Sequence, residues 1–154
     1  MKKLILSSVL LGLFAVSAFA LGGDDIPPAV KANFTKLYPS VTKVKWGKEE
    51  ANFEVEFEMN KTEMSCLFDD AGNLLETETE IAITALPKSV SDYVAKNYAG
   101  QKIKEASKII DSKKTTTYEA EVKEGDLIFD DKGNFIKKVV ENNKDKDDEK
   151  NEKK

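Results

Sequence analysis

The chain has 154 residues, of which 40% are hydrophobic, and its 24 basic and 28 acidic residues give a formal net charge of −4. This composition supports one ordinary domain or two very small ones, and the lack of a basic surplus argues against a nucleic-acid partner. Every basic residue is a lysine, because the sequence contains neither arginine nor histidine. These absences exclude imidazole bases, Ser-His and Cys-His pairs, ordinary zinc sites and bidentate arginine clamps, so the chain is not expected to be an enzyme.

The first twenty residues have the pattern of a secretory signal peptide. Two lysines precede an apolar run from Leu4 to Phe19, and the small residues Ala18 and Ala20 complete a cleavage signal. The run is shorter than the roughly 20 residues that a membrane-spanning helix needs. We therefore predict a signal peptide over 1–20, cleavage after Ala20, a periplasmic or secreted location and no stable membrane span after cleavage.

The rest of the chain repeats itself. Three segments recur in the same order, 60 to 65 residues apart: 26–38 and 86–98, 53–57 and 118–122, 68–74 and 129–135. Such self-similarity is typical of a duplicated structural unit. We predict an α+β fold, a tandem repeat of a helix plus a four-stranded antiparallel sheet, with repeat one over 24–81 and repeat two over 84–140.

Each unit opens with a helix and continues in strands. Proline near the start is tolerated because its missing N–H needs no partner there, and Val30 and Phe34, like Val90 and Val94, then share one helical face. Alternation of apolar and polar residues is the signature of a strand with one buried face. It predicts eight strands, at 41–46, 52–58, 63–68 and 74–81, then at 103–111, 115–123, 126–129 and 135–140.

The carboxyl-terminal segment 141–154 contains no apolar residue and mixes acids with lysines. It cannot bury enough surface to offset the entropy of ordering it, so we predict a disordered charged tail.

Cys66 and Trp46 each allow two interpretations. As the only cysteine, Cys66 cannot form an internal disulfide, and it aligns with Leu127 of the second unit. A buried, inert thiol is therefore favoured over a reactive one. Trp46 shares strand parity with Val44, which favours a core position, while an exposed binding anchor is the alternative.

Acidic pairs raise the question of catalysis or metal binding. Glu54 with Glu56, and Glu119 with Glu121, are each spaced two residues apart on a strand, a separation that would suit an inverting glycosidase. The aromatic residues that would line a sugar cleft instead occupy the alternate, buried positions, so a solvated strand face is favoured. The aspartates at 69–70 and 130–131 lack the ligand order of a calcium loop and indicate hairpin turns. We predict no catalytic residue, metal or cofactor.

A stripe of glutamates is the feature least explained by solubility. The expected partner-binding residues are Glu54, Glu56, Glu58, Glu76, Glu78, Glu80 and Trp46. The last strand of the second unit carries Lys137 and Lys138, so one sheet is expected to be acidic and the other more basic. The alternative is a solvated face that only keeps the protein soluble.

The sequence resembles the PepSY-like, beta-lactamase-inhibitor-like family of exported bacterial proteins. The resemblance rests on features that span about 26–135: Pro28, Val30, Phe34, Tyr38, Pro39, Trp46, the strand 53–57, the turn 68–74 and their equivalents in the second unit. It implies a helix packed on a four-stranded antiparallel sheet in each repeat, an extended sheet surface and an extracytoplasmic location. No catalytic motif comes with it.

The leading functional hypothesis is an exported binding module that recognises or inhibits a protein or peptide through its sheet surface. A periplasmic protein that binds a small ligand or cation through the acidic stripe is one alternative. A hydrolase that uses only carboxylates is the other.

Overall fold

The computed structural model of the protein describes residues 25–140, so the predicted signal peptide and charged tail lie outside it. Helix α1 (Pro28–Leu37) precedes four strands, and helix α2 (Lys88–Asn97) precedes four more, with a short 3-10 turn at Ile83–Ala85 before it. The strands are β1 (Val44–Glu49), β2 (Asn52–Met59), β3 (Thr62–Phe68), β4 (Leu74–Glu80), β5 (Ala106–Asp111), β6 (Thr116–Val122), β7 (Gly125–Asp130) and β8 (Phe135–Val139). All the predicted elements of this region are therefore present.

The eight strands form one continuous antiparallel sheet in which each strand pairs with the next along the chain. Strands β4 and β5 join the two halves, with Thr77 opposite Ile110 and Glu78 opposite Ile109. The separate four-stranded sheets expected from the repeat pattern are therefore halves of one sheet. The pairing occurs because β4 and β5 would otherwise each leave a row of unpaired backbone groups at an edge.

Both helices pack on the same face of this sheet. In the first half, Val30 and Phe34 of α1 pack against Val55, Cys66 and Phe68. The second half repeats this arrangement with other residues: Val90, Val94, Ala120, Leu127 and Phe129. Cys66 is fully buried, and burial raises the pKa of its thiol, so the predicted buried cysteine is confirmed.

Two matching hairpin turns, between β3 and β4 and between β7 and β8, pack against the starts of α1 and α2. Asp69 accepts 2.8 Å hydrogen bonds from the main-chain and side-chain nitrogens of Asn73, and Asp130 accepts the same pair from Asn134. The predicted hairpin turns at these aspartates are thus present. Gly72, at φ +84°, lies so close to α1 that an added Cβ would be 2.7 Å from the carbonyl oxygen of Ala29.

Candidate binding surface on the open face of the sheet

Within residues 25–140, the two helices cover one face of the sheet, and we call the opposite side the open face. Strand alternation directs Phe53, Val55 and Phe57 of β2 toward the helices and the glutamates between them to the open face. The register of β2, β3 and β4 continues this alternation. The predicted glutamates that share the open face are Glu54, Glu56, Glu58, Glu76, Glu78 and Glu80.

The open face of the second half is acidic as well. It carries Asp111 of β5, Glu119 and Glu121 of β6 and Asp126 of β7, because these residues follow the same alternation across the β4–β5 pairing. The second half carries four of these acids against six in the first half, together with Lys137 of β8, so it is less acidic but not basic. The lysine pair on β8 is divided between the two faces, and Lys138 lies on the helical side with its Nζ 5.7 Å from the ring centre of Tyr98.

The sheet curves strongly around its open face. Burial and, second, the charge of Asp111 raise the pKa of Glu76 on β4 to about 7, while the ammonium of Lys137 on β8 opposes the rise. Four strand spacings separate β4 from β8, which would be roughly 19 Å in a flat sheet, beyond the range of an effective charge interaction through water. Ile109 and Ile128 are also buried on this face. The open face is therefore a concave surface.

Three carboxylic acids lie deep in this surface: Glu78, Glu119 and Asp126, with exposed fractions of 7%, 6% and 1%. Burial raises the pKa of Glu119, and the neighbouring carboxylates of Glu78 and Asp126 raise it further. Burial also raises the pKa of Glu78, while a hydrogen bond with Ser107 opposes the shift. The cause is the loss of hydration by a buried carboxylate, combined with repulsion between like charges.

Nearer the first edge of the sheet, burial raises the pKa of two more glutamates. The pKa of Glu54 rises to about 7 through burial and the charges of Glu49 and Glu56, while Ser65 and Lys45 oppose the rise. The pKa of Glu49 also rises to about 7, through burial and then the charges of Glu76 and Glu50. Glu54, Glu76 and Glu78 of the acidic stripe are therefore interacting carboxyl groups rather than independent solvated charges.

Lysines partly neutralise the rim of the open face. Lys45 of β1 pairs with Glu56 of β2 at 3.0 Å, and Lys104 pairs with Glu121 of β6 at 2.7 Å. In contrast, Glu119 Oε2 is buried and has no hydrogen-bond partner among residues 25–140. Buried polar atoms normally have a hydrogen-bond partner. Glu119 Oε2 is therefore an unsatisfied hydrogen-bond acceptor on this surface.

Trp46 does not lie on this surface. It pairs with Val55 in the register, and its ring meets the ring of Phe34 edge-on with 5.6 Å between centres. The tryptophan therefore packs beneath α1, on the helical side, apart from the six glutamates. Sequence reasoning missed Glu119 and Asp126 as members of the acidic surface, although the match of 118–122 to 53–57 carried that signal for Glu119.

Two structural features are absent from the part of the chain that the structure describes, a metal-holding group of side chains and a membrane-spanning helix. In residues 25–140, no group of three or more Asp, Glu or Cys side chains is placed to hold a metal ion. Neither helix in the same region is long and apolar enough to cross a membrane.

The model of the PepSY-like family, described as beta-lactamase-inhibitor-like, matches residues 16–76 and 53–137. Because these matches cover most of the chain, the protein belongs to this family. A search of curated proteins gives no match.

Solved structures from Bacteroides show the same fold. A BLIP-like protein from B. fragilis is 24% identical, with a TM-score of 0.60 over 77% of this chain and 90% of that chain. A DUF2874 family protein from B. ovatus is 21% identical, with a TM-score of 0.65 over 77% and 89% of the two chains. A third, from B. eggerthii and provisionally described as periplasmic, is 15% identical, with a TM-score of 0.67 over 75% and 88%.

Proposed function

We propose that the protein is an exported, non-enzymatic binding module that recognises a protein or peptide partner through the open face of its sheet. The observation that carries the proposal is a concave sheet face that retains buried and half-buried carboxyl groups with raised pKa values. Such a surface is costly to a protein that does not use it, because the acids repel one another and lose hydration. A basic partner would relieve the repulsion and be steered by it.

The family and the fold support this reading without naming the partner. The family description and the B. fragilis structure both refer to beta-lactamase-inhibitor-like proteins, whose name denotes protein recognition. An inhibitor of an exported enzyme is one such role. The absence of histidine and arginine from the sequence weighs against an enzyme.

We also propose that the chain is exported by cleavage after Ala20 and that its two halves are copies of one unit. The amino-terminal pattern and the periplasmic description of the B. eggerthii protein support export. The paired Asp–Asn turns and the similar helix-on-strand packing support duplication. Mass spectrometry of the secreted protein tests the cleavage, since we expect a chain that begins at Leu21.

Charge reversal tests the binding surface. A partner captured by the purified protein from a periplasmic extract is identified, and its association rate is measured with Glu58→Lys, an exposed change on the open face. The matched control is Asp92→Lys, an equal change of charge on exposed α2. We expect the first to slow association several-fold at low salt and the second to leave it nearly unchanged. The reverse pattern would place recognition on the helices.

A further inference from the structure

The strongest unexplained feature is the group of buried carboxyls formed by Glu78, Glu119 and Asp126, here called the acid cluster. We propose that the acid cluster is a subsite for one alkylammonium group, the head of a lysine side chain or of a small polyamine. This inference rests on the proposed function, since it names the chemistry that the open face recognises.

The unpartnered oxygen of Glu119 is the first argument. Glu119 is buried to more than nine-tenths, and its Oε2 has no hydrogen-bond partner within the part of the chain that the structure describes. An unsatisfied buried oxygen costs free energy that a bound N–H donor would recover. The ligand should therefore carry N–H groups into the concave face.

The charged groups around Glu119 determine which charge the ligand should carry. Besides Glu78 and Asp126, the acids that act on it are Glu121 on its own strand and Glu105 just before β5. Each of them raises its pKa, so the local field favours a cation. The other groups that face it across the strands are Ser107 of β5, Ile128 of β7 and, next to Ile128, Lys137 of β8.

The arrangement favours a compact ammonium over a guanidinium or a metal ion. The three acids come from three strands, β4, β6 and β7, and share one face of the sheet. An ammonium has three N–H donors on one atom, whereas a guanidinium prefers one planar, bidentate carboxylate. No metal-holding arrangement exists among Asp, Glu and Cys side chains of residues 25–140, and a calcium ion would need 6–8 oxygen ligands at roughly 2.3–2.6 Å.

Protonation should make binding depend on pH. Because burial raises the pKa values of Glu78 and Glu119, these acids hold protons near neutral pH and must release them to pair with an ammonium. An alkylammonium stays charged up to about pH 10. Affinity should therefore increase as the pH rises from 6 to 8.5.

The test is an NMR titration of the purified protein with a terminally blocked Gly-Lys-Gly peptide, its Nζ-acetylated form, spermidine, butylguanidine and calcium chloride. We expect saturable shifts of the Glu119 and Ser107 amides with the lysine peptide or spermidine, and none with the acetylated peptide. Affinity should be at least ten-fold higher at pH 8.5 than at pH 6. If spermidine binds more than ten-fold tighter than the peptide, a polyamine is the favoured source, whereas comparable affinities favour a lysine side chain.

Two variants separate the acid cluster from the general charge of the surface. Glu119→Gln should weaken ammonium binding at least ten-fold, and Glu78→Gln is the second variant if the first does not fold. The control, Glu63→Gln, removes an exposed charge from the same face, opposite Glu58 on β3, and should change affinity less than two-fold. Equal losses in Glu119→Gln and Glu63→Gln, or binding of only calcium or butylguanidine, would overturn the inference. If no ammonium binds while Glu58→Lys still slows a protein partner, the subsite is wrong and the proposed function stands.

Discussion

The helical face and the open face of the sheet are built from the same strands but bury opposite chemistry. Beneath the helices, Val55 and Phe129 are fully enclosed by apolar neighbours. On the other side, Glu78 and Glu119 are nearly as deeply buried but lie among acids. Period-2 alternation allows this division, so one strand can contribute to stability on one face and present an unfavourable, acidic surface on the other.

The largest expected effect comes from opening a cavity on the helical face. Phe129 is fully buried and meets the rings of Tyr93 and Phe135 edge-on, at 5.5 and 5.8 Å between centres. Phe129→Ala should lower the free energy of unfolding by about 3–5 kcal/mol, measured by urea denaturation. Glu119→Gln, at a similar depth on the open face, should not destabilise the protein at pH 7. A comparable loss in both would erase the distinction between the faces.

The next largest effect comes from the turn between β3 and β4, which packs against the start of α1. Gly72→Ala should cost about 2 kcal/mol, because it combines a positive φ with a clash against the Ala29 carbonyl. Gly100→Ala is a matched control, since Gly100 has φ +81° but an added Cβ would have no heavy atom of the described residues 25–140 within 4 Å. Thermal unfolding of both variants separates the two causes, and equal losses would show that the close approach adds nothing.

Local pattern predicted the helical face well because alternation and turn residues are local properties. The structure places β1 at Val44–Glu49, later than the predicted 41–46, because Val41 packs against the core without being part of a strand. Strand β5 begins at Ala106 instead of residue 103, although Lys104 and Glu105 still form backbone hydrogen bonds with Glu121. Both differences arise at the start of a strand. Before β1 a partly buried residue precedes the regular strand pairing, and before β5 backbone hydrogen bonds precede it.

The open face could be predicted only in part. Residues two apart on a strand share a face, and this rule alone predicted that Glu54 lies beside Glu56 on one strand and Glu76 beside Glu78 on another. The β4–β5 pairing and the curvature are long-range properties, and they bring Glu119 and Asp126 into the same surface. Sequence reasoning treated the halves as separate sheets, so it could not foresee that their acids interact.

The raised pKa values on the open face should make the free energy of unfolding depend on pH. Folded Glu54 and Glu76 have pKa values of about 7, against 4.5 for the ordinary side chain, so the folded state binds more protons between these values. Stability contributed by these groups is therefore highest at low pH and is lost as the pH rises from 5 to 8. We expect urea denaturation to show a loss of about 1 kcal/mol or more across this interval.

Neutral variants check that these carboxyls are responsible. Glu54→Gln and Glu76→Gln should flatten the pH dependence and raise stability at pH 8, whereas Glu58→Gln, an exposed change on the same strand as Glu54, should leave the slope unaltered. The aspartates of the two turns are not involved, because hydrogen bonds from Asn73 and Asn134 lower their pKa values below the ordinary 3.8. A stability that increases from pH 5 to pH 8 would contradict this account.

The smallest expected effect concerns the lysine that partly neutralises the open face. Lys45 pairs with Glu56 and lowers the otherwise raised pKa of Glu54, so Lys45→Met should cost less than about 1 kcal/mol at pH 8. The cost should shrink at pH 5, because Glu54 is then protonated and no longer attracts the ammonium. Lys88→Met, which removes the exposed pair with Asp92 on α2, should cause a small loss that is equal at both pH values. Urea denaturation of both variants at pH 5 and pH 8 measures the difference. An equal pH response would mean that Lys45, like Lys88, is an isolated surface charge and that the open-face carboxyls do not act together.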